Sequence, residues 1–355
     1  MGPGPTNLSP EVIETFSRPL LGHLDPLFLE ILDDTCEKLR EIMKTESPLT
    51  LPISATGSGA MEALITNLVN ENDVVAVGIN GAFGERASEM FKRRGAKVFE
   101  YRVAWGEPLD MEELAAIARD QSAKIIWAVH GETSTGVKND IETLGRMKNE
   151  SLLIADCVTS LGGVKVEMDQ WGIDALLSGS QKCLSTPPGL SLVSINARCM
   201  EHLVERPASW YFDLNLVADY VLKGGPRRYH HTAPTSMIVA LNEGLRLILA
   251  EGLEQVIQRH LRASLLLARE LQSRDISLFV DERFRLEPLT TVYIPQKFIE
   301  NEAQIRKVLL EEFRIEIGGG LGPLQGKVWR IGLMGYNAGE ESVGRLMEAL
   351  DKVLV

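Results

Sequence analysis

Lys182 is the residue in this chain best placed to do chemistry. It follows one apolar run, Ile173 to Leu177, and precedes another, Leu190 to Ile195, with Pro187-Pro188-Gly189 stopping any helix between them. Both runs read as buried strands. Apolar walls penalise an ammonium and lower its pKa, which turns a lysine into a nucleophile or a Schiff-base partner. Alone, such a lysine is more often an exposed loop residue. Two other groups change its meaning. Thr56-Gly57-Ser58-Gly59 leads into an apolar helical stretch, so its backbone N–H groups and the positive helix end form a phosphate site. Asp156 closes the apolar run Leu152-Leu-Ile-Ala-Asp156 and puts a carboxylate at a strand end. Taken singly, the first also reads as a capped turn and the second as a helix cap or ion pair.

Together the three groups fit one ligand, pyridoxal phosphate. The helix end holds the phosphate, the aspartate keeps the pyridine nitrogen protonated, and the lysine 26 residues after it carries the aldehyde as an imine. The glycine turn is neither a Rossmann fingerprint, because Glu62 stands where the third glycine belongs, nor a P-loop, because no Gly-Lys-Ser/Thr follows. Metal chemistry has weaker support. His130-Gly-Glu132 echoes the zinc deaminases but lacks their Pro-Cys-x-x-Cys. His230 and His231, adjacent in sequence, would face opposite ways in a strand.

The elements that must position these groups alternate along the chain. Strands are expected over 73–78, 97–101, 124–129 and 152–156, and helices over 84–94, 110–119 and 141–149. Such alternation means a mostly parallel sheet covered by helices, with ligands beyond the carboxyl ends of its strands. The alternation ends near Ile195. Residues 233 to about 267 read as mostly helical, with a long helix near 252–272 at a junction. Short strands over 290–294, 314–317 and 328–333, with helices over 301–313 and 339–353, make a smaller α+β unit. The division expected is 1–254 for an N-terminal arm and large domain, and 255–355 for a small C-terminal domain.

A formal charge of −12 over 355 residues argues against nucleic acid or anionic membrane as the main partner. No run approaches a membrane span, and the start Met1-Gly-Pro-Gly-Pro lacks a signal-peptide shape. Cys36, Cys157, Cys183 and Cys199 form no CxxC pair and suit free thiols in a reducing compartment. The terminal Lys352-Val-Leu-Val355 is no peroxisomal tripeptide, so the cytoplasm is the default location.

The chain also resembles, nearly end to end, the alanine–glyoxylate / serine–pyruvate aminotransferases of the class V, fold-type I group. The resemblance is carried by Gly2-Pro-Gly-Pro-Thr-Asn7, Ser54-Ala-Thr-Gly-Ser-Gly-Ala-Met-Glu-Ala63, Gly78-Ile-Asn-Gly81, His130-Gly-Glu-Thr-Ser-Thr-Gly136, Ser178-Gly-Ser-Gln-Lys182, Tyr229-His-His-Thr232 and Gly326-Lys-Val-Trp-Arg-Ile-Gly332. It implies ping-pong transfer of an amino group from a small L-amino acid, alanine or serine, to glyoxylate or pyruvate. It implies that Lys182 binds the cofactor aldehyde and shuttles the proton, and that Asp156 meets the ring nitrogen. Val158 and Phe83 pack on the two ring faces, Phe83 standing where relatives often carry tryptophan. Thr56, Gly57, Ser58 and Gln181 hold the phosphate, and Tyr229 and Thr232 complete that site from the other subunit of a homodimer. Arg330 clamps the substrate carboxylate, with Thr133 and Gly4 of the Pro3-Gly4-Pro5 arm on the substrate side. Arg330 also reads as an inter-domain ion pair, and Phe83 as ordinary core.

Three rivals follow from the same reading. Cysteine desulfuration needs a mobile cysteine in the small domain, and none follows Cys199. An (S)-ureidoglycine–glyoxylate aminotransferase shares Gly131-Glu-Thr-Ser-Thr-Gly136 and Trp329-Arg-Ile-Gly332. A non-catalytic hydrogenase-associated subunit is disfavoured by the intact Lys182, Asp156 and Arg330.

Overall fold

The computed structural model describes residues 1–224 and 226–354. The first part of the chain supplies strands β1 (Leu49–Ser54), β2 (Val74–Ile79), β3 (Lys97–Arg102), β4 (Ile125–Val129), the two-residue strands β5 (Gly131–Glu132) and β6 (Val137–Lys138), then β7 (Leu152–Asp156), β8 (Ala175–Gly179) and β9 (Leu190–Ile195). β5 and β6 pair with each other, apart from the large sheet, and Val137 of β6 also bridges to Arg285. The other seven form one sheet in the order β3-β2-β4-β7-β8-β9-β1. From β3 to β8 every pairing is parallel, whereas β9 runs antiparallel to both β8 and β1. β4, β7, β8 and β9 are buried at every residue, because helices cover both faces of the sheet, so they read as unbroken apolar runs. At the edge, β3 has its Lys97, Phe99 and Arg102 exposed.

Along the sheet, β3 lies to one side of β2, while β4, β7 and β8 lie to the other. This reversal opens a crevice at the carboxyl ends, the usual place for a ligand. Helix Gly57–Leu68 follows β1 and helix Ala82–Arg93 follows β2, so both begin at that edge. The second is pinned by Phe91, which meets Trp127 of β4 edge-on at 5.5 Å, with both rings fully buried. Removing the Phe91 ring would cost about 3–5 kcal/mol and loosen that helix on the sheet.

Beyond the sheet, helices Thr235–Glu251 and Leu253–Gln272 meet at Gly252, whose φ of 91° breaks what the sequence presents as one helical stretch. Strands β10 (Leu289–Tyr293), β11 (Gly318–Gly319) and β12 (Val328–Gly332) form an antiparallel sheet in the order β10-β12-β11. The strand expected over 314–317 is displaced. Arg314 adopts φ 57° to cap helix Glu302–Phe313, and pairing with β12 begins only at Gly318. The apolar core has two main bodies. One runs from Phe28 to Val256, the other from Ala263 to Leu350 around Trp329. The N-terminal arm crosses between them. Thr6 donates its backbone N–H to Gln181 O at 3.0 Å and its hydroxyl to Met334 O at 2.8 Å.

Candidate active site

Chain direction brings the expected residues to one edge. β1, β7 and β8 all point the same way, so the turn after β1, the end of β7 and the loop after β8 converge. They line a cavity of about 120 Å³, to which Thr56, Gly57 and Ser58 come from the first, Asp156 and Val158 from the second, and Gln181 and Lys182 from the third. Phe83 and Thr133 also face it. A wider groove of about 1010 Å³, which holds the Lys138–Glu287 ion pair, contains none of Lys182, Asp156 and Thr56.

Lys182 donates its Nζ to Pro3 O. Burial lowers its pKa to about 8. The arm comes this close because Gly4, at φ 100°, has no side chain: a Cβ there would lie 2.5 Å from Lys182 Nζ. Asp156 is 3% exposed and, among the described residues, accepts one hydrogen bond, from Val158 N at 3.0 Å. Burial pushes its pKa up to about 7. The negative charge of Glu132 adds to the rise, while the Val158 bond, Arg86 and Lys182 oppose it.

Thr56 is the N-cap residue of helix Gly57–Leu68, yet its hydroxyl makes no capping bond and stays free for a ligand. Gly57 packs on Val158: a Cβ on it would meet Val158 Cγ2 at 3.0 Å. The Gln181 amide oxygen is buried without a partner among the described residues. A free hydroxyl, an unpartnered amide and an open helix N-terminus suit a phosphorylated ligand.

Arg330, on β12, donates Nε to Gly319 O at 2.8 Å and Nη1 to Thr133 O at 2.9 Å. No carboxylate lies within 4.0 Å of it among the described residues, so it is not the inter-domain ion pair the sequence also allows. Burial lowers its pKa, against which the charge of Glu132 acts. It stands outside the lining of the small cavity, reaching it through Thr133. Tyr229 and Thr232 also lie outside the cavity of their own chain. Tyr229 is 59% exposed, and its hydroxyl is 3.3 Å from that of Thr232.

The histidines take structural places. His130 is buried edge-on against Trp171, with its pKa pushed down to about 3 by burial. His230 and His231 do not face opposite ways. They lie outside any strand, so their rings meet Nδ1 to Nδ1 at 2.7 Å, and His231 Nε2 reaches Ser54 Oγ at 2.6 Å. The described residues contain no group of three or more His, Cys, Asp and Glu placed to hold a metal.

The aminotransferase class-V family model matches residues 16–343. The chain belongs to the class-V aminotransferases. It is 38% identical to the alanine–glyoxylate aminotransferase of Mus musculus over 361 residues, covering all of this chain and 87% of that one. It is 35% identical to the (S)-ureidoglycine–glyoxylate transaminase of Bacillus subtilis, covering all of this chain and 90% of that one. A crystal structure of alanine–glyoxylate aminotransferase from Nostoc sp. superposes with a TM-score of 0.97 at 44% identity, covering all of this chain and 94% of that one. The family's enzymes use pyridoxal phosphate, and the activity of this chain is transamination.

Within this class-V aminotransferase, two charged residues near the cavity escaped the sequence reading. Glu132, fully buried, accepts from Phe83 N at 3.1 Å, Gly84 N at 3.3 Å, Ser134 N at 3.0 Å and Ser134 Oγ at 2.5 Å. It caps helix Ala82–Arg93 from a distant strand, because Gly81 at the N-cap has no side chain to do so. A Cβ on Gly81 would sit 2.4 Å from the Glu132 carboxyl carbon. Arg86, one turn into the same helix, lines the cavity and donates to Ser58 Oγ at 3.0 Å. Its place three residues after Phe83, on the same helix face, was the available signal.

Proposed function

We propose that this transaminase moves the amino group of a small L-amino acid, alanine or serine, to glyoxylate or pyruvate, using pyridoxal phosphate held in the 120 Å³ cavity. The observation that carries the reading is the convergence of Lys182, Asp156 and the Thr56–Ser58 turn on one cavity from three distant stretches of chain. Thr56, Gly57, Ser58 and Gln181 would hold the phosphate, Asp156 the ring nitrogen, and Val158 and Phe83 the ring faces. When bound, the cofactor supplies an aldehyde that takes the amine and a ring that accepts electrons from the substrate α-carbon.

The protein's own part follows from its charges. A lysine Nζ with pKa about 8 is partly neutral near pH 7, so Lys182 can take the α-proton as general base and hand it back. Asp156, raised to about 7 by burial, becomes a firm carboxylate once a cationic ring nitrogen stands beside it. Arg330 offers a planar fork to the substrate carboxylate, while Thr133 and Gly4 bound the substrate space.

The second subunit of a homodimer would bring Tyr229 and Thr232 to this phosphate site. Their exposure and their absence from the lining of their own cavity support that role. The reading takes 1–254 as the large domain and 255–355 as the small one, which the two apolar cores support. Four buried free thiols suit the cytoplasm. No helix among the described residues is long and apolar enough to cross a membrane. Ureidoglycine as donor is the second reading, favoured by the 35% identical Bacillus subtilis relative.

The test is Lys182→Ala. It should lose the visible absorbance of bound cofactor and about 10⁴-fold or more of turnover. Retained turnover would reject the role of Lys182. Rates with alanine, serine and ureidoglycine against glyoxylate then choose the donor.

A further inference from the structure

The phosphate end of the cavity is short of positive charge. Thr56, Gly57, Ser58 and Gln181 are neutral, and so are Tyr229 and Thr232. A phosphate monoester carries about −1.5 to −2 at neutral pH, whereas a helix N-terminus offers roughly +0.5. Arg86 brings a cation to this end. Arg86 Nη1 lies 3.0 Å from Ser58 Oγ, and its guanidinium carbon sits 4.8 Å from the centre of the Phe83 ring.

Among the described residues the arginine is not engaged elsewhere. Glu85 beside it pairs with Arg102 at 3.1 Å, and Glu89 one turn on pairs with Arg93 at 2.8 Å. No carboxylate lies within 4.0 Å of Arg86 among the described residues. A guanidinium has five N–H donors, and a hydroxyl uses one of them. An arginine fork matches two phosphate oxygens at once, and stacking on an aromatic ring holds its plane in place.

We propose that Arg86 is the cationic member of the phosphate cradle, binding the cofactor phosphate beside Ser58 while its plane rests on Phe83. The inference rests on the pyridoxal phosphate reading above. It makes Arg86 a cofactor-binding residue whose effect depends on the phosphate group and not on the aldehyde or the ring.

That dependence can be measured without turnover. Wild-type, Arg86→Gln and Arg86→Lys proteins, stripped of cofactor, are titrated with pyridoxal phosphate and, separately, with pyridoxal, reading the visible absorbance of the bound form. Cofactor release from each holoenzyme on dilution gives a second reading. Arg86→Gln should weaken pyridoxal phosphate about 10- to 100-fold, the range for hydrogen bonds to a charged group. Its affinity for pyridoxal should stay within about two-fold, since no phosphate contact is lost. Arg86→Lys should recover part of the loss, because it keeps the charge without the fork. Equal weakening of both aldehydes would overturn the proposal by showing that Arg86 acts through the Phe83 ring. So would no weakening of either. A wild-type protein that forms no coloured complex with pyridoxal phosphate overturns the proposed function itself, and this inference with it.

Discussion

Two aspartates on neighbouring strands differ in what surrounds them. Asp174 immediately precedes β8 and is 1% exposed; Asp156 ends β7 and is 3% exposed. Asp174 is saturated. It takes Lys148 Nζ, Arg198 Nη1 at 3.2 and 3.3 Å, Asn196 Nδ2 at 3.0 Å and Leu153 N at 2.8 Å. Among the described residues, Asp156 has only Val158 N. Taking a carboxylate out of water costs several kcal/mol unless partners replace the lost hydration. At Asp174 the fold supplies them. At Asp156 most of that cost stays uncompensated, which fits the proposed pairing with a cationic ring nitrogen. The guanidiniums repeat the contrast: Arg198 is paired with Asp174, whereas Arg330 holds only backbone carbonyls among the described residues.

The largest effect should come from neutralising the under-partnered acid. Asp156→Asn should lower kcat about 10²- to 10⁴-fold, since an amide cannot keep the ring nitrogen protonated. Steady-state kinetics at saturating cofactor will measure it. The same substitution should alter the pH dependence of the cofactor-free protein. Asp156 has a folded pKa of about 7, above the ordinary value of about 3.9. Between those values the folded chain binds more protons than the unfolded one, so stability falls as pH rises through that window. Asp156→Asn should remove this share of the slope in denaturant titrations at pH 4.5 and 7. Glu132, also raised by burial, should leave a remainder of the same sign.

A smaller effect is expected at the other under-partnered charge. Arg330→Gln should raise KM for glyoxylate and for alanine about 10- to 100-fold through loss of a charge-assisted fork. The affinity for pyridoxal phosphate, read from visible absorbance, should barely move. A parallel loss of cofactor would mean that Arg330 matters through its hold on Thr133 O and not through the substrate.

The same pair of aspartates shows how far sequence reading reaches. Both belong to apolar runs: Asp156 closes its run, whereas Asp174 stands second in the run Ile173 to Leu177 and precedes the strand. Only the one after its strand lies at the ligand edge, and that order is visible in the sequence. β7 and β9 were therefore legible to the residue. β8 begins at Ala175, two residues later than its apolar run, because pairing with β7 and β9 sets the ends and carries Ser178 and Gly179 into the buried sheet. The reversal of β9 left no mark, since a fully buried strand reads alike in either direction. The roles of Glu132 and Arg86 were harder to read, Arg86 showing only its shared helix face with Phe83. Charged residues are ordinarily solvated, and their partners here, Phe83 and Ser58, lie 49 and 28 residues away. The 314–317 stretch misled because Ile315 and Ile317 are buried in the second core without joining a strand.

The contrast is sharpest where a change should do nothing to catalysis. Asp174→Asn leaves Lys148 and Arg198 without their shared counter-charge beneath β8. Breaking a buried pair of this kind costs about 3–5 kcal/mol, with the partial exposure of Arg198 favouring the lower end. The thermal midpoint should drop. Because Asp174 lies at the opposite end of the strand pair from Lys182, the surviving folded protein should keep kcat and KM within about two-fold, as expected for a site without shared partners. Turnover per active site, counted by bound cofactor, separates the two effects. If Asp174→Asn reduced kcat as deeply as Asp156→Asn, saturation of partners would not distinguish a structural carboxylate from a working one, and the reading of Asp156 would lose its physical basis.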